Sequence, residues 1–242
     1  LPKSSGATPA NSERPVYTPS LLFMRDDEMI NTNVGVFYDA PGLKHPDYFG
    51  FELLKRIFGT YNIDKNSEHL NDCTKQYNAM HTLLGDLPDV TLHKAHYFAY
   101  SDCGLFGNYF FGNEVFTRMM TCCGFSVTTL YGNYINEVEI FRARNKLYNE
   151  LLASDSVVGT LHTIGNQILQ LNRRVPRSEV AKRVAHIDGY HIKNLCYEWF
   201  YDAEPSVVNW GPCESTASFG TYKYYKIHTM GTVTSMHHAL YF

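Results

Sequence analysis

The stretch His93–Gly112, reading HKAHYFAYSDCGLFGNYFFG, constrains the fold more than any other part of the chain. Two runs of aromatic and other β-forming residues flank Ser101-Asp102-Cys103-Gly104, and Ser, Asp and Gly are turn formers. The pattern predicts a β-hairpin, which needs further strands or helices over its apolar face to be stable in water. Strands are predicted at Leu21–Arg25 and Ile30–Asp39 around the acidic turn Asp26-Asp27-Glu28. A short one is predicted at Pro205–Trp210, closed by Gly211-Pro212.

Helical periodicity fills most of the rest. His45-Pro46-Asp47 opens a helix, with Pro at the first helical position. Phe51, Leu54, Ile57 and Phe58 form its buried stripe, and Gly59 ends it. A helix over about 68–84, closed by Gly85, is expected. Asn113 caps a helix running to about Leu130. The next, over about 136–153, carries one row of Ile140, Leu147 and Leu151 beside a second of Phe141, Tyr148 and Leu152. Its Arg142, Arg144, Lys146 and Glu150 are expected in solvent. Another helix spans about 156–171. Two short ones follow Arg173-Arg174-Val175-Pro176. Ser178 should cap the first, burying Val180, Ala181, Val184 and Ala185. Asp188 should cap the second, which buries Ile192, Leu195, Cys196, Trp199 and Phe200.

Strands and helices in this order predict an α+β fold: an antiparallel sheet with helices packed on one face. Residues 1–19 have linker composition, rich in Ser, Pro, Ala and Asn, so the folded domain is expected over 20–242. The tail 213–242 is Tyr- and Thr-rich and is expected to be partly extended. At 242 residues the chain can bury a core without disulfides or metal. Its formal net charge of −3 argues against a nucleic-acid binder driven by phosphate contacts. The longest uncharged runs, 119–136 and 156–172, are interrupted by Thr, Asn and Gly and do not read as membrane spans.

Motifs for catalysis are missing. The six cysteines include no Cys-x-x-Cys pair and read as reduced thiols. No His-x-x-Glu-His or His-Glu-x-x-His occurs. His93 and His96 should point to opposite faces of a strand. His186 and His191 flank a helix start, His45 fits a helix entry, and His237-His238 reads as a surface pair. There is no Gly-x-Ser-x-Gly elbow, no dinucleotide glycine fingerprint and no P-loop. Cys103 beside Asp102 could form an activated thiol, against the simpler reading of a hairpin turn. Arg142-Ala-Arg144 and Arg173-Arg174 read as solvated helix faces or ends, with interface contacts as the second reading.

Several segments resemble one family. The hairpin Ala99–Gly107 (AYSDCGLFG) is similar to a stretch in the C-terminal half of mitochondrial processing peptidase subunits and of the core subunits of the cytochrome bc complex. These are pitrilysin-like zinc peptidases. Arg25-Asp26-Asp27 in a first hairpin, His45-Pro46-Asp47, Glu137–Leu152 (EVEIFRARNKLYNELL), and Gly165-Asn-Gln-Ile-Leu followed by Asn172-Arg-Arg-Val-Pro agree in order and spacing. The resemblance covers about 20–212, and residues 202–212 look more like the β-type subunit than the α-type.

The resemblance implies a half-module of the peptidase fold, 20–242 being the C-terminal, non-zinc domain and 1–19 lying where the family joins its halves. In the catalytic β-type subunit the inverted zinc motif lies in the N-terminal half. No residue of this chain matches a zinc ligand or the catalytic glutamate, so catalytic, cofactor-binding and metal residues are expected to be none. The implied role is a structural core-type subunit of respiratory complex III (ubiquinol–cytochrome c reductase), peripheral on the matrix side of the mitochondrial inner membrane. Its implied partners are an N-terminal zinc-motif half or the remainder of the same chain, an α-type or second core subunit, the other bc-complex subunits, and presequence peptides. The alternative is the non-zinc half of a split presequence metallopeptidase, positioning the peptide for a partner chain. By itself the chain is expected not to be an enzyme, while an assembly with a zinc-bearing half could be one. A small-molecule enzyme with a site among Tyr and His residues stands third.

Overall fold

A computed structural model describes residues 15–62, 80, 83, 84, 87, 89–153, 156–201 and 203–214. Strands are β1 (Leu21–Arg25), β2 (Asn31–Pro41), β3 (Thr60–Asn62), β4 (Val90–Ala99), β5 (Cys103–Asn113) and β6 (Ser206–Gly211). Helices are α1 (Tyr48–Phe58), α2 (Thr117–Asn133, entered through a 3₁₀ turn at Glu114–Phe116), α3 (Glu137–Leu152), α4 (Val157–Leu171), α5 (Arg177–Ala185) and α6 (Gly189–Phe200). Of the helix expected over 68–84, only Met80, Leu83 and Leu84 are described, all three helical, and the tail beyond residue 214 lies outside the described residues.

The six strands form one sheet in the order β1-β6-β2-β5-β4-β3. Every pairing is antiparallel except β1 with β6, which is parallel. The hairpin is as expected, Pro41 facing Cys103 at one end of β2–β5 and Ala99 facing Gly104 across β4–β5. The first hairpin is not: β1 and β2 are not neighbours, because β6 runs between them. Two bonds frame β1 against β6, from the Val207 amide to the Ser20 carbonyl (2.8 Å) and from the Asp26 amide to the Gly211 carbonyl (3.0 Å). The acidic turn thus crosses the end of an inserted strand. Ile30, expected in the strand, is 86% exposed outside it.

Alternation sends Val34, Val36, Tyr38, Ala40, Phe106, Phe110 and Val207 to one face. There they meet Phe51, Leu54, Ile57 and Phe58 of α1 and Ile192, Leu195, Cys196 and Phe200 of α6 in a single core. Helices α1, α2 and α6 lie on the sheet, and α3 and α5 pack behind α1. Gly50 lets α1 and α6 meet, since a Cβ there would overlap Leu195 Cδ1. Burying side chains of this kind contributes about 1.5–3 kcal/mol each, so the layered core dominates stability.

Asn113 and Asp188 cap their helices as expected, accepting from the Val115 and His191 amides, and Asn136 and Ser156 cap α3 and α4 by accepting from Val138 and Gly159. Two expected entries differ. Helix α1 starts at Tyr48, so Pro46 lies ahead of it, and Asp47 makes no capping bond. Its carboxylate instead accepts the Trp199 indole N–H at 3.1 Å, which holds a partly buried ring. Ser178 does not cap α5: Pro176 occupies that place with extended backbone, and its carbonyl accepts from Glu179 and Val180.

The second row of α3 also differs from expectation. Phe141 and Leu152 are exposed, while Tyr148 reaches the Ala181 carbonyl at 3.2 Å. Arg144, expected in solvent, turns inward to donate to the Ile187 carbonyl. The helix is clasped on two sides, by α1 and α5, so one row alone does not describe its contacts.

Candidate functional site

Two surfaces of the fold stand out: the sheet face that carries no described helix, and the outer side of α4. On the first, the outward positions of β2, β5, β4 and β6 bring together Phe37, Tyr109, His96, Phe98 and Trp210. Phe37 and Phe98 lie 6.4 Å apart, and His96 stacks on Phe98 at 5.4 Å with rings nearly parallel. Phe37 can lie flat because Gly35 and Gly107 flank it: a Cβ on Gly107 would come within 2.6 Å of its ring and overlap the Val36 carbonyl. Tyr109 donates to Asn33 Oδ1 at 2.6 Å. Tyr17 anchors the incoming chain, donating to the Phe37 carbonyl and meeting Ser206 Oγ, each at 3.0 Å. Desolvation raises the Tyr17 pKa. His96 titrates below an ordinary histidine, through burial and then the Lys94 and Lys55 charges, so it is neutral at pH 7. Aromatic rings and amide groups dominate this face. It can cover another surface.

On the second surface, α4 is only thinly covered. Ile164, Gln167 and Leu171 are half-buried against the body of the protein, and Thr163, Asn166 and Gln170 beside them are exposed and line a groove. Val157, Val158, Leu161, Ile168 and Leu169 face away from the body, with Val157 86% and Leu169 81% exposed. None of the residues of α4 is buried.

The residues singled out in the sequence are scattered. His93 is buried with Nε2 3.0 Å from Asn108 Oδ1, while His96 is on the opposite face, as strand geometry expects. His45 Nδ1 accepts the Asp47 amide at 3.2 Å and its ring stands edge-on to Trp199 at 5.5 Å. His191 sits in the first turn of α6 and His186 at the end of α5. His237 and His238 lie outside the described residues. Cys103 stands opposite Pro41 at the end of the hairpin, next to an exposed Asp102. Burial pushes the Cys122 and Cys123 thiols up to about 11 and about 12, and raises Cys196 as well, so none of these three is a thiolate nucleophile at neutral pH. Arg173, on the loop after α4, and Arg183 of α5 both donate to Glu179, at 2.8 and 2.7 Å.

Among the described residues, no group of three or more His, Cys, Asp or Glu is placed to hold a metal ion. No described helix is long and apolar enough to cross a membrane. The outward side of α4 was the feature that sequence reasoning missed. Its apolar row at 157, 158, 161, 168 and 169 is visible in the sequence, but its direction is not.

No family model matches the chain. It is 25% identical over 211 residues to bovine (Bos taurus) mitochondrial cytochrome b-c1 complex subunit 1, covering 84% of this chain and 42% of that protein. It is 26% identical over 211 residues to the rat (Rattus norvegicus) mitochondrial-processing peptidase subunit beta, covering 84% of this chain and 41% of the relative. Core subunits of the cytochrome b-c1 complex and β subunits of the processing peptidase are its homologues. The chain spans about two fifths of the length of the curated relatives it matches. A chain of complex III2 from Candida albicans, with Inz-5 bound, superposes with a TM-score of 0.80 at 18% identity. That match covers 93% of this chain and 53% of the other, and it shows the same fold. The α+β architecture read from the sequence is therefore the one this group uses.

Proposed function

We propose that the chain is a structural, core-type subunit of mitochondrial respiratory complex III, peripheral on the matrix side of the inner membrane and without a catalytic site of its own. In this reading residues 1–19 are the linker-like tail and 20–242 the C-terminal, non-zinc domain of a peptidase-like subunit. The observation that carries it is the exposed apolar row of helix α4. A helix on the surface of a free-standing soluble protein turns its apolar row inward. This one turns Val157, Val158, Leu161, Ile168 and Leu169 outward, and exposed apolar surface of that extent marks an interface. The aromatic sheet face supplies a second surface to cover. The partners are the other subunits of the complex.

Near-equal identity to the peptidase β subunit favours a second reading, the non-zinc half of a split presequence peptidase. There the aromatic sheet face would form a wall for the peptide, and a partner chain would hold the zinc.

Purification of the tagged protein from its native mitochondria separates the two. Co-migration with haem-bearing complex III on a native gel is expected, and Leu161→Glu with Leu169→Glu should abolish it while leaving the fold intact. Co-migration with a zinc-bearing peptidase would establish the second reading instead. A lone monomer would refute both.

A further inference from the structure

One side of α4 borders a half-open cavity of about 770 Å³ between α1, α3, α4, α5 and the loop before α1. Its size is that of small-molecule sites, which run to about 1,000 Å³. Its lining is divided. Leu43, Phe49, Leu147, Leu151 and Val180 make an apolar floor, which Leu171 of α4 extends, and Thr163, Asn166, Gln167 and Gln170 make a polar wall. Protein interiors are otherwise close-packed, so an apolar floor of this extent left uncovered costs stability.

The rim is cationic. Arg173 and Arg183 share the single carboxylate of Glu179, which leaves guanidinium N–H groups of both for another acceptor. Lys44 adds a third positive charge, while Arg56 is held between Glu52 and Glu150, a trio with one net negative charge. The rim therefore carries a surplus of one positive charge. Arg183 also lies over the Phe49 ring at 5.5 Å, which puts its charge at the boundary between floor and rim.

We propose that this cavity binds a long-chain carboxylate, with its hydrocarbon chain on the leucine and phenylalanine floor and its carboxylate on Arg173 and Arg183. A space of this size, long and apolar on one side, accommodates a long chain with its head. One surplus positive charge suits one carboxylate. The site stands independently of the subunit reading, because it lies on the side of α4 opposite the apolar row.

The test uses the full chain and the fluorescent probe 11-(dansylamino)undecanoate, displaced by palmitate. Saturable binding of one probe per chain is expected, with hexadecanol at least about tenfold weaker than palmitate because it lacks the charge. Arg173→Gln with Arg183→Gln should weaken binding by about tenfold or more. Asn166→Trp, at an exposed position where folding is undisturbed, should fill the cavity and block it. No saturable binding, or binding that survives both changes, overturns the proposal. So does a protein that sediments with phosphatidylcholine–phosphatidylglycerol vesicles but takes up no free probe, since that is adsorption to a membrane surface.

Discussion

Glu179 accepts from two arginines at once, and this sets its titration. The bond from Arg173, then the bond from Arg183 and the two charges, hold its pKa down to about 2, below its ordinary 4.5. A depressed carboxylate contributes its stabilisation above its unfolded pKa and loses it as the pH falls through the folded value. The trio therefore holds α5 to the loop after α4 at neutral pH and releases it between about pH 4.5 and 2. A carboxyl NMR titration should place Glu179 well below the other glutamates, and Arg173→Ala should move its midpoint up. A midpoint in the ordinary range would mean that the pairs do not persist in solution. The sequence shows Arg173 and Glu179 six apart across a proline, a spacing that belongs to no regular helix, so the pair depends on how Val175 and Pro176 turn. That turn is held by Gln167, which accepts the Val175 amide at 3.0 Å.

At the scale of the elements, the β4–β5 hairpin was readable because its alternation and turn chemistry are local. Its inner register depends on Gly107, which lies opposite Phe37 of β2. Gly107→Ala would drive a methyl group into the Val36 carbonyl, which belongs to backbone and cannot rotate away. The expected loss is more than about 2 kcal/mol in urea unfolding, and a change under about 0.5 kcal/mol would mean that β2 and β5 pair differently. Strand β1 shows the opposite case. Its sequence signal was sound, yet its neighbour is a strand more than 180 residues away, Leu21 facing Val207. Local turn chemistry at Asp26-Asp27-Glu28 suggests a hairpin and cannot reveal that β6 occupies the intervening place. Helix α5 was found with the wrong cap, because Pro176 with its fixed φ took the position that Ser178 seemed suited for.

At the scale of the whole molecule, the chain presents a well-packed interior and two apolar exteriors. The absence of a zinc motif in the sequence leads to a direct expectation: the purified chain, analysed for metals, carries no stoichiometric zinc and shows no peptidase activity. Stoichiometric zinc, or cleavage of a presequence peptide by the chain alone, would contradict it. The sequence by itself determined the fold class, the hairpin and most helix positions. These rest on periodicity, turn residues and short-range caps, which act between residues close along the chain, while the kinship with core and peptidase subunits rests on the resemblance of ordered motifs. Only the tertiary structure decided that β6 separates β1 from β2, that Arg144 turns inward, and that α4 shows its apolar row to the outside and its polar row to a cavity. A helical row has the same pattern whichever way it points, and its direction is set by what the rest of the fold leaves beside it.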